Sequence, residues 1–219
     1  MNVYVWTNTM KNAYIGEYTG RLPSWYQEVE YIQSSWTQYI NTGYTPTTST
    51  RFSVSYNISS KPYEYACLFW ARNESSSSSN TFYLWWRNWT SKKWLLYMFY
   101  PSIDYGWVSF WWNVWIDYNI SFEGNILTDW TNSINISYNS SPTWTLYIFA
   151  LHDIGSSAAA DYAYAKLYNL KLFEWTTLVR DFVPCYRKSD SAIGLYDLVN
   201  NKFYANSWSW SFTKWADMY

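Results

Sequence analysis

One histidine, His152 in "FALHDIG", and two cysteines, Cys67 and Cys185, make up the whole imidazole and thiol inventory of this chain. A serine or cysteine nucleophile needs that histidine beside it and a shaped oxyanion site, and the sequence holds no G-x-S-x-G turn to build one. His152 therefore reads as a loop or core residue. The cysteines lie far apart and match no metal or redox spacing, so each reads as a buried free thiol, with a disulfide between them as the alternative. Neither a His/Cys cluster nor a phosphate-cradling glycine loop is present. Glycoside hydrolysis asks only for two carboxylates about 5 to 10 Å apart across a cleft. Glu28 and Glu30 in "QEVEY" share a strand face by their spacing, and a solvated face is the reading they favour. Asp153 and Asp161 flank a loop and are weak candidates for calcium oxygen ligands; otherwise no metal or cofactor is expected.

Binding without catalysis asks for less: aromatic faces that stack on sugar rings, and polar side chains that bond hydroxyls in a shallow, wet site. Two stretches offer this combination. "YLWWRNW" supplies Tyr83 and Arg87, and "MFYPSIDYG" supplies Tyr100, Asp104 and Tyr105. A structural role competes at each of the five.

These residues need elements to hold them. Strand-length alternation of apolar and polar residues recurs in "QEVEYI", "TQYINTG", "TRFSVSYNI", "NTFYLWW", "KWLLYMFY", "VWIDYNISFEG", "SINISYN", "WTLYIFAL", "AYAKLYNLKLFE" and "NKFYANS". Turn-forming clusters such as "PTTST", "NESSSSSN" and "YNSSPT" separate them, and no segment sustains a helical period beyond about two turns. The expectation is an all-β antiparallel sandwich, each sheet packing one face and wetting the other. Ser75 to Ser79 read as a loop tip. In the closing block, Arg180 with Asp181 and Arg187 with Asp190 are expected ion pairs, Pro184 an edge or turn residue, and Asn200-Asn201 a hairpin turn. The sequons at Asn57, Asn73, Asn88, Asn119, Asn135 and Asn139 read as an Asn/Ser-rich surface.

The chain has 219 residues, with 15 basic and 16 acidic side chains and a net charge of -1. That balance produces no long-range field to recruit nucleic acid or an anionic membrane. The opening residues lack a secretory signal, and no apolar run reaches membrane-spanning length, so a soluble chain is expected. Residues 1–21 read as an N-terminal docking segment or hairpin plus linker, and 22–219 as one sandwich domain. Glycine is the anomaly: average usage of about 7% predicts roughly 15. The chain has 7, against 18 tryptophans.

"LPSWYQEVEYIQSSWTQYINTGYTP", "LFWARN" and the long block from "AKLYNLKLFEWTTLVRDF" to "SWSWSFTKW" carry a resemblance. They resemble phage and prophage tail-associated proteins with a concanavalin A-like, laminin-G-like jelly-roll domain. In that family the corresponding stretches carry glycine, as in "SSGTQYI", "LFGARN" and "SGSGSFTKG". This sequence departs from them at Trp25, Trp36, Trp70, Trp175, Trp208, Trp210 and Trp215, always from glycine to tryptophan. One systematic cause would be UGA codons written as tryptophan but read as glycine in the source. Trp94 in "KKWLLY" suits a strand. The competing reading is that the tryptophans are native and stack on sugars. The resemblance implies a concanavalin A-like lectin/glucanase jelly-roll fold and a non-catalytic carbohydrate- or receptor-binding module of a tail or fibre assembly. Its partners would be cell-surface glycans, tail or fibre proteins and further copies of itself, on a virion or bacterial surface. A purely structural virion decoration protein is the first alternative and a glycan-cleaving enzyme, which lacks the E-x-D-x-x-E strand pattern here, the second.

Overall fold

Strands form where alternation coincides with β-branched and aromatic residues. The computed structural model describes residues 21–60, 65–72, 81–88, 94–98, 114–129, 133–136, 141–152 and 159–218, with no helix among them. The strands are β1 (Tyr26–Glu28), β2 (Ile32–Gln33), β3 (Ile40–Asn41), β4 (Thr50–Ile58), β5 (Tyr65–Arg72), β6 (Thr81–Asn88), β7 (Trp94–Met98), β8 (Asp117–Glu123) and β9 (Ile126–Thr128). They continue as β10 (Ser133–Asn135), β11 (Tyr147–Ile148), β12 (Leu151–His152), β13 (Ala159–Ala160), β14 (Ala165–Glu174), β15 (Thr177–Arg187), β16 (Ile193–Asp197), β17 (Lys202–Ala205) and β18 (Thr213–Lys214).

The larger sheet runs β10-β9-β8-β4-β14-β15-β16-β17, with β1, β2 and β18 attached, and the smaller runs β3-β11-β5-β6-β7. Every strand pairing within them is antiparallel. Alternate residues of "TRFSVSYNI" put Phe52, Val54 and Tyr56 inward from the larger sheet, and alternate residues of "TFYLWW" put Phe82, Leu84 and Trp86 inward from the smaller. Rings from the two sheets meet: Phe52 touches Phe69 at 5.1 Å and Phe82 at 6.0 Å, and Tyr56 stacks on Trp86 at 6.2 Å. Burying each such ring contributes about 1.5–3 kcal/mol. The shared core is compatible with a β-sandwich.

Several local expectations change. Arg180 does not pair with Asp181: its Nε lies 3.4 Å from the fully buried Asp197 carboxylate, and Lys171 Nζ takes Asp181 at 3.1 Å. Neighbours in a strand point to opposite faces, so adjacent charges find partners on adjoining strands instead. Arg187 does hold Asp190, at 2.6 Å. Pro184 lies inside β15 rather than at an edge. Its carbonyl accepts from Val29 N, where β15 changes neighbour from β14, last paired at Phe182, to β1, first paired at Cys185. The missing N–H thus faces a seam instead of a continuous ladder. Glu28 is buried, not on a solvated face. Arg21 Nη2 donates to it at 2.9 Å, yet burial pushes its carboxyl up to about 7. Asn57 is also buried, and donates to Asp117 at 2.9 Å. Both cysteines are free and buried, and burial pushes both thiols up. The expected segment 1–21, apart from Arg21, and the serine run lie outside the described residues.

Candidate functional site

The outward face of the smaller sheet collects aromatic side chains. Its inward positions are already taken by Phe69, Phe82, Leu84 and Ile148, so the alternate residues must point away from the core. Pairing sets them in a row across four strands: Asn41 of β3 opposite Tyr147 of β11, Tyr147 opposite Trp70 of β5, and Trp70 opposite Tyr83 of β6. The Trp70 indole lies against Tyr83 with centroids 4.3 Å apart and planes 16° from parallel. Trp85, two residues along β6, meets Trp70 edge-on at 6.1 Å. The bulge between Cys67 and Phe69 resets the register so that both Trp70 and Cys67 have partners on β6.

At the other end, Tyr147 is sandwiched. Tyr39 stacks on it at 4.8 Å, and the His152 ring lies 3.9 Å away and 6° from parallel. Trp144 covers the imidazole at 4.4 Å, and His152 Nδ1 lies 3.2 Å from the Thr145 carbonyl. The short β12–β13 pair holds His152 opposite Ala159. Tyr39, Tyr83 and Tyr147 are buried, whereas Trp70, Trp85, Trp144 and His152 are half-buried, so the row is a shelf of rings locked from beneath. Burial, together with Tyr39, pushes the Tyr147 hydroxyl up to about 12. It stays protonated at neutral pH and keeps both a donor and an acceptor. Trp70 Nε1 is buried without a hydrogen-bond partner.

On the strands that form the row, the described outward positions hold Asn41, Tyr147, Cys67, Trp70, Arg72, Thr81, Tyr83 and Trp85, and Asp161 lies beside Cys67, its carbonyl accepting from Cys67 N. The row can stack against a ligand and exchange hydrogen bonds. Among the described residues no three His, Cys, Asp or Glu side chains come together as metal ligands. No helix of these residues is long and apolar enough to cross a membrane.

Of the residues singled out from sequence, Tyr83 lies in this row. Arg87 lies on β6 opposite Tyr65. Tyr100, Asp104, Tyr105 and Asp153 lie outside the described residues. Asp161 is half-buried, adopts a φ of 46°, and its carbonyl accepts from Cys67 N at 2.9 Å. Sequence reasoning missed Tyr39, Tyr147, Trp144 and His152 as partners of Tyr83. Alternation in "TFYLWW" already placed Tyr83 and Trp85 on one face; the rest are joined by strand pairing over long sequence separations. No protein-family model, curated protein or solved structure matches the chain.

Proposed function

We propose that the protein is a non-catalytic carbohydrate-binding module whose ligand lies along the outward aromatic row of the smaller sheet. The observation that carries this reading is the row itself: half-buried Trp85, Trp144 and His152 flank rings whose positions are fixed by stacking. Rigid aromatic surface binds sugar rings without a large ordering cost, and tyrosine hydroxyls and Asn41 supply directional bonds. The fold on this reading is a jelly-roll sandwich of the concanavalin A-like, laminin-G-like type, which the non-sequential order β8-β4-β14 and the core shared by the two sheets support. The sequence resemblance puts such a module on a phage tail or fibre, facing a bacterial surface glycan.

A glycan array followed by titration calorimetry tests the reading. The expected result is micromolar to millimolar binding of a surface glycan, weakened about 10-fold by Trp85→Ala and by His152→Ala in folded protein. Full affinity in both variants, or no glycan bound by the parent chain, would overturn it.

A further inference from the structure

Eight described residues other than glycine have positive φ: Trp36, Trp115, Phe149, Asp161, Trp175, Ser191, Asn201 and Trp210. Asn and Asp tolerate this region because short polar side chains bond locally, whereas bulky residues there are outliers. Four of the eight are nevertheless tryptophan. Tolerance of aromatics in general does not explain this, because among the described residues no tyrosine and only one phenylalanine, Phe149, joins the tryptophans.

The four share a second property. Trp36, Trp115, Trp175 and Trp210 are 41%, 67%, 67% and 77% exposed, so little burial offsets the backbone cost, although the Trp36 ring stacks on Tyr164 at 5.7 Å. Each sits in a tight turn or loop whose path is fixed by other bonds. Trp36, at a φ of 99°, lies outside the narrow left-handed well altogether, in the loop that Gln38 closes by accepting from Ser35 N at 2.8 Å. Trp115 N donates to Ile58 O and Trp175 N to Ser49 O, both at 2.9 Å. Asn206 Nδ2 donates to the Trp208, Ser209 and Trp210 carbonyls. The two glycines with positive φ, Gly43 at 63° and Gly124 at 57°, occupy the same backbone region. By contrast, Trp86 is fully buried in extended β6 and stacks on Tyr56.

We infer that residues 36, 115, 175 and 210 are glycine in the protein as its own host makes it. The four positions are UGA codons, decoded there by a glycine-charged tRNA whose anticodon pairs with UGA. Backbone conformation thereby separates two populations of tryptophan: those in left-handed turns are glycine, and Trp86 is tryptophan, encoded by UGG. Trp115 shares this conformation although it lies outside the stretches that carry the resemblance, whereas Trp25, Trp70, Trp208 and Trp215 do not have positive φ and stay unassigned. A glycine at 70 would bare the Tyr83 face that the indole now covers, so an aromatic platform exists on the smaller sheet either way.

The test is to read the codons at 36, 86, 115, 175 and 210 and to measure peptide masses across them in protein from the native source. UGA with glycine masses at the four turn positions, and UGG with a tryptophan mass at 86, is the expected result. UGG at the four positions, or tryptophan masses there, overturns the inference. Recombinant protein gives a second measurement. Replacing Trp36, Trp115, Trp175 and Trp210 together by glycine is expected to raise the melting temperature on the order of 10 °C, by relief of backbone strain in exposed turns. An unchanged or lower melting temperature counts against it.

Discussion

Two hairpins of the larger sheet turn through the same backbone shape with opposite residues. Between β8 and β9, Glu123 pairs with Ile126 across Gly124-Asn125, and Gly124 has a φ of 57°. Between β14 and β15, Glu174 pairs with Thr177 across Trp175-Thr176, and Trp175 has a φ of 54°. In both, only the first central residue has positive φ, which is the type II′ pattern and calls for glycine there. A Cβ at Gly124 would meet nothing within 4 Å, so glycine is required by conformation and not by space. The difference lies in what surrounds the turns. β9 is three residues long and lies next to the last strand of the sheet, whereas β14 and β15 are ten and eleven residues long and lie between β4 and β16. Around the Trp175 turn, the Glu174 carboxylate accepts from Thr47 at 2.6 Å, from Thr50 at 2.9 Å and from the Tyr44 hydroxyl. The Arg51 guanidinium lies 5.5 Å over the Trp175 ring. Long strands and a bonded carboxylate impose the turn whichever residue occupies it; a short edge hairpin depends on its glycine.

The largest expected effect comes from cutting the anchor of the well-held hairpin. Fully buried Asp197 accepts from Asp181 N at 3.0 Å, Val199 N at 3.1 Å and Asn200 Nδ2 at 2.6 Å, beside Arg180. Asp197→Ala strands those donors and a cation, and is expected to cost about 3–5 kcal/mol by urea denaturation. Next comes Gly124→Trp, which places at the edge hairpin the residue the central one carries; a loss of about 1–2 kcal/mol is expected. A cost near zero would mean that the type II′ turn does not discriminate. The reverse change, Trp175→Gly, is expected to stabilise by about 1 kcal/mol, the opposite sign from most tryptophan truncations.

Glu174 gives the smallest effect, read through pH. Burial raises its carboxyl, but hydrogen bonds from Thr47, Tyr44, Thr50 and Ser49 outweigh that and hold it below its ordinary value of 4.5. Its contribution is therefore fully present above that value and is lost as pH falls through the lower folded one, because the unfolded chain takes up the proton first. Glu174→Gln is expected to remove this acid-side slope and to cost under about 1 kcal/mol at neutral pH, since the residue is only half-buried and the amide keeps one acceptor oxygen. An unaltered slope in acid melts would remove Glu174 from the account of the turn.

Much of the fold was legible from the chain. "TRFSVSYNI" coincides with β4 residue for residue, and the Asn200-Asn201 turn closes β16 onto β17, with Asn201 at a φ of 53°. β15 was not, because Arg180, Asp181 and Pro184 interrupt its apolar pattern. Only adjoining strands supply Asp197, Lys171 and the seam that make those residues acceptable there. The candidate site was legible in one element only. Alternation sets Tyr83 and Trp85 on one face of β6, but nothing local brings Tyr39 against Tyr147 or lays His152 on that ring.

The sequence by itself determined what depends on near neighbours: the strands whose alternation is unbroken, such as β4 and β6, the face most of their residues take, and the Asn200-Asn201 turn. Those are properties of a backbone with period two and of a Cβ that clashes or does not. The tertiary structure decided what depends on distant partners: the order of the strands, the burial of Glu28, the exchange of ion-pair partners around Asp197, and the assembly of the aromatic row. Antiparallel pairing between segments far apart in the chain is chosen by how well two faces fill a common core, and that fit is a property of the packed molecule.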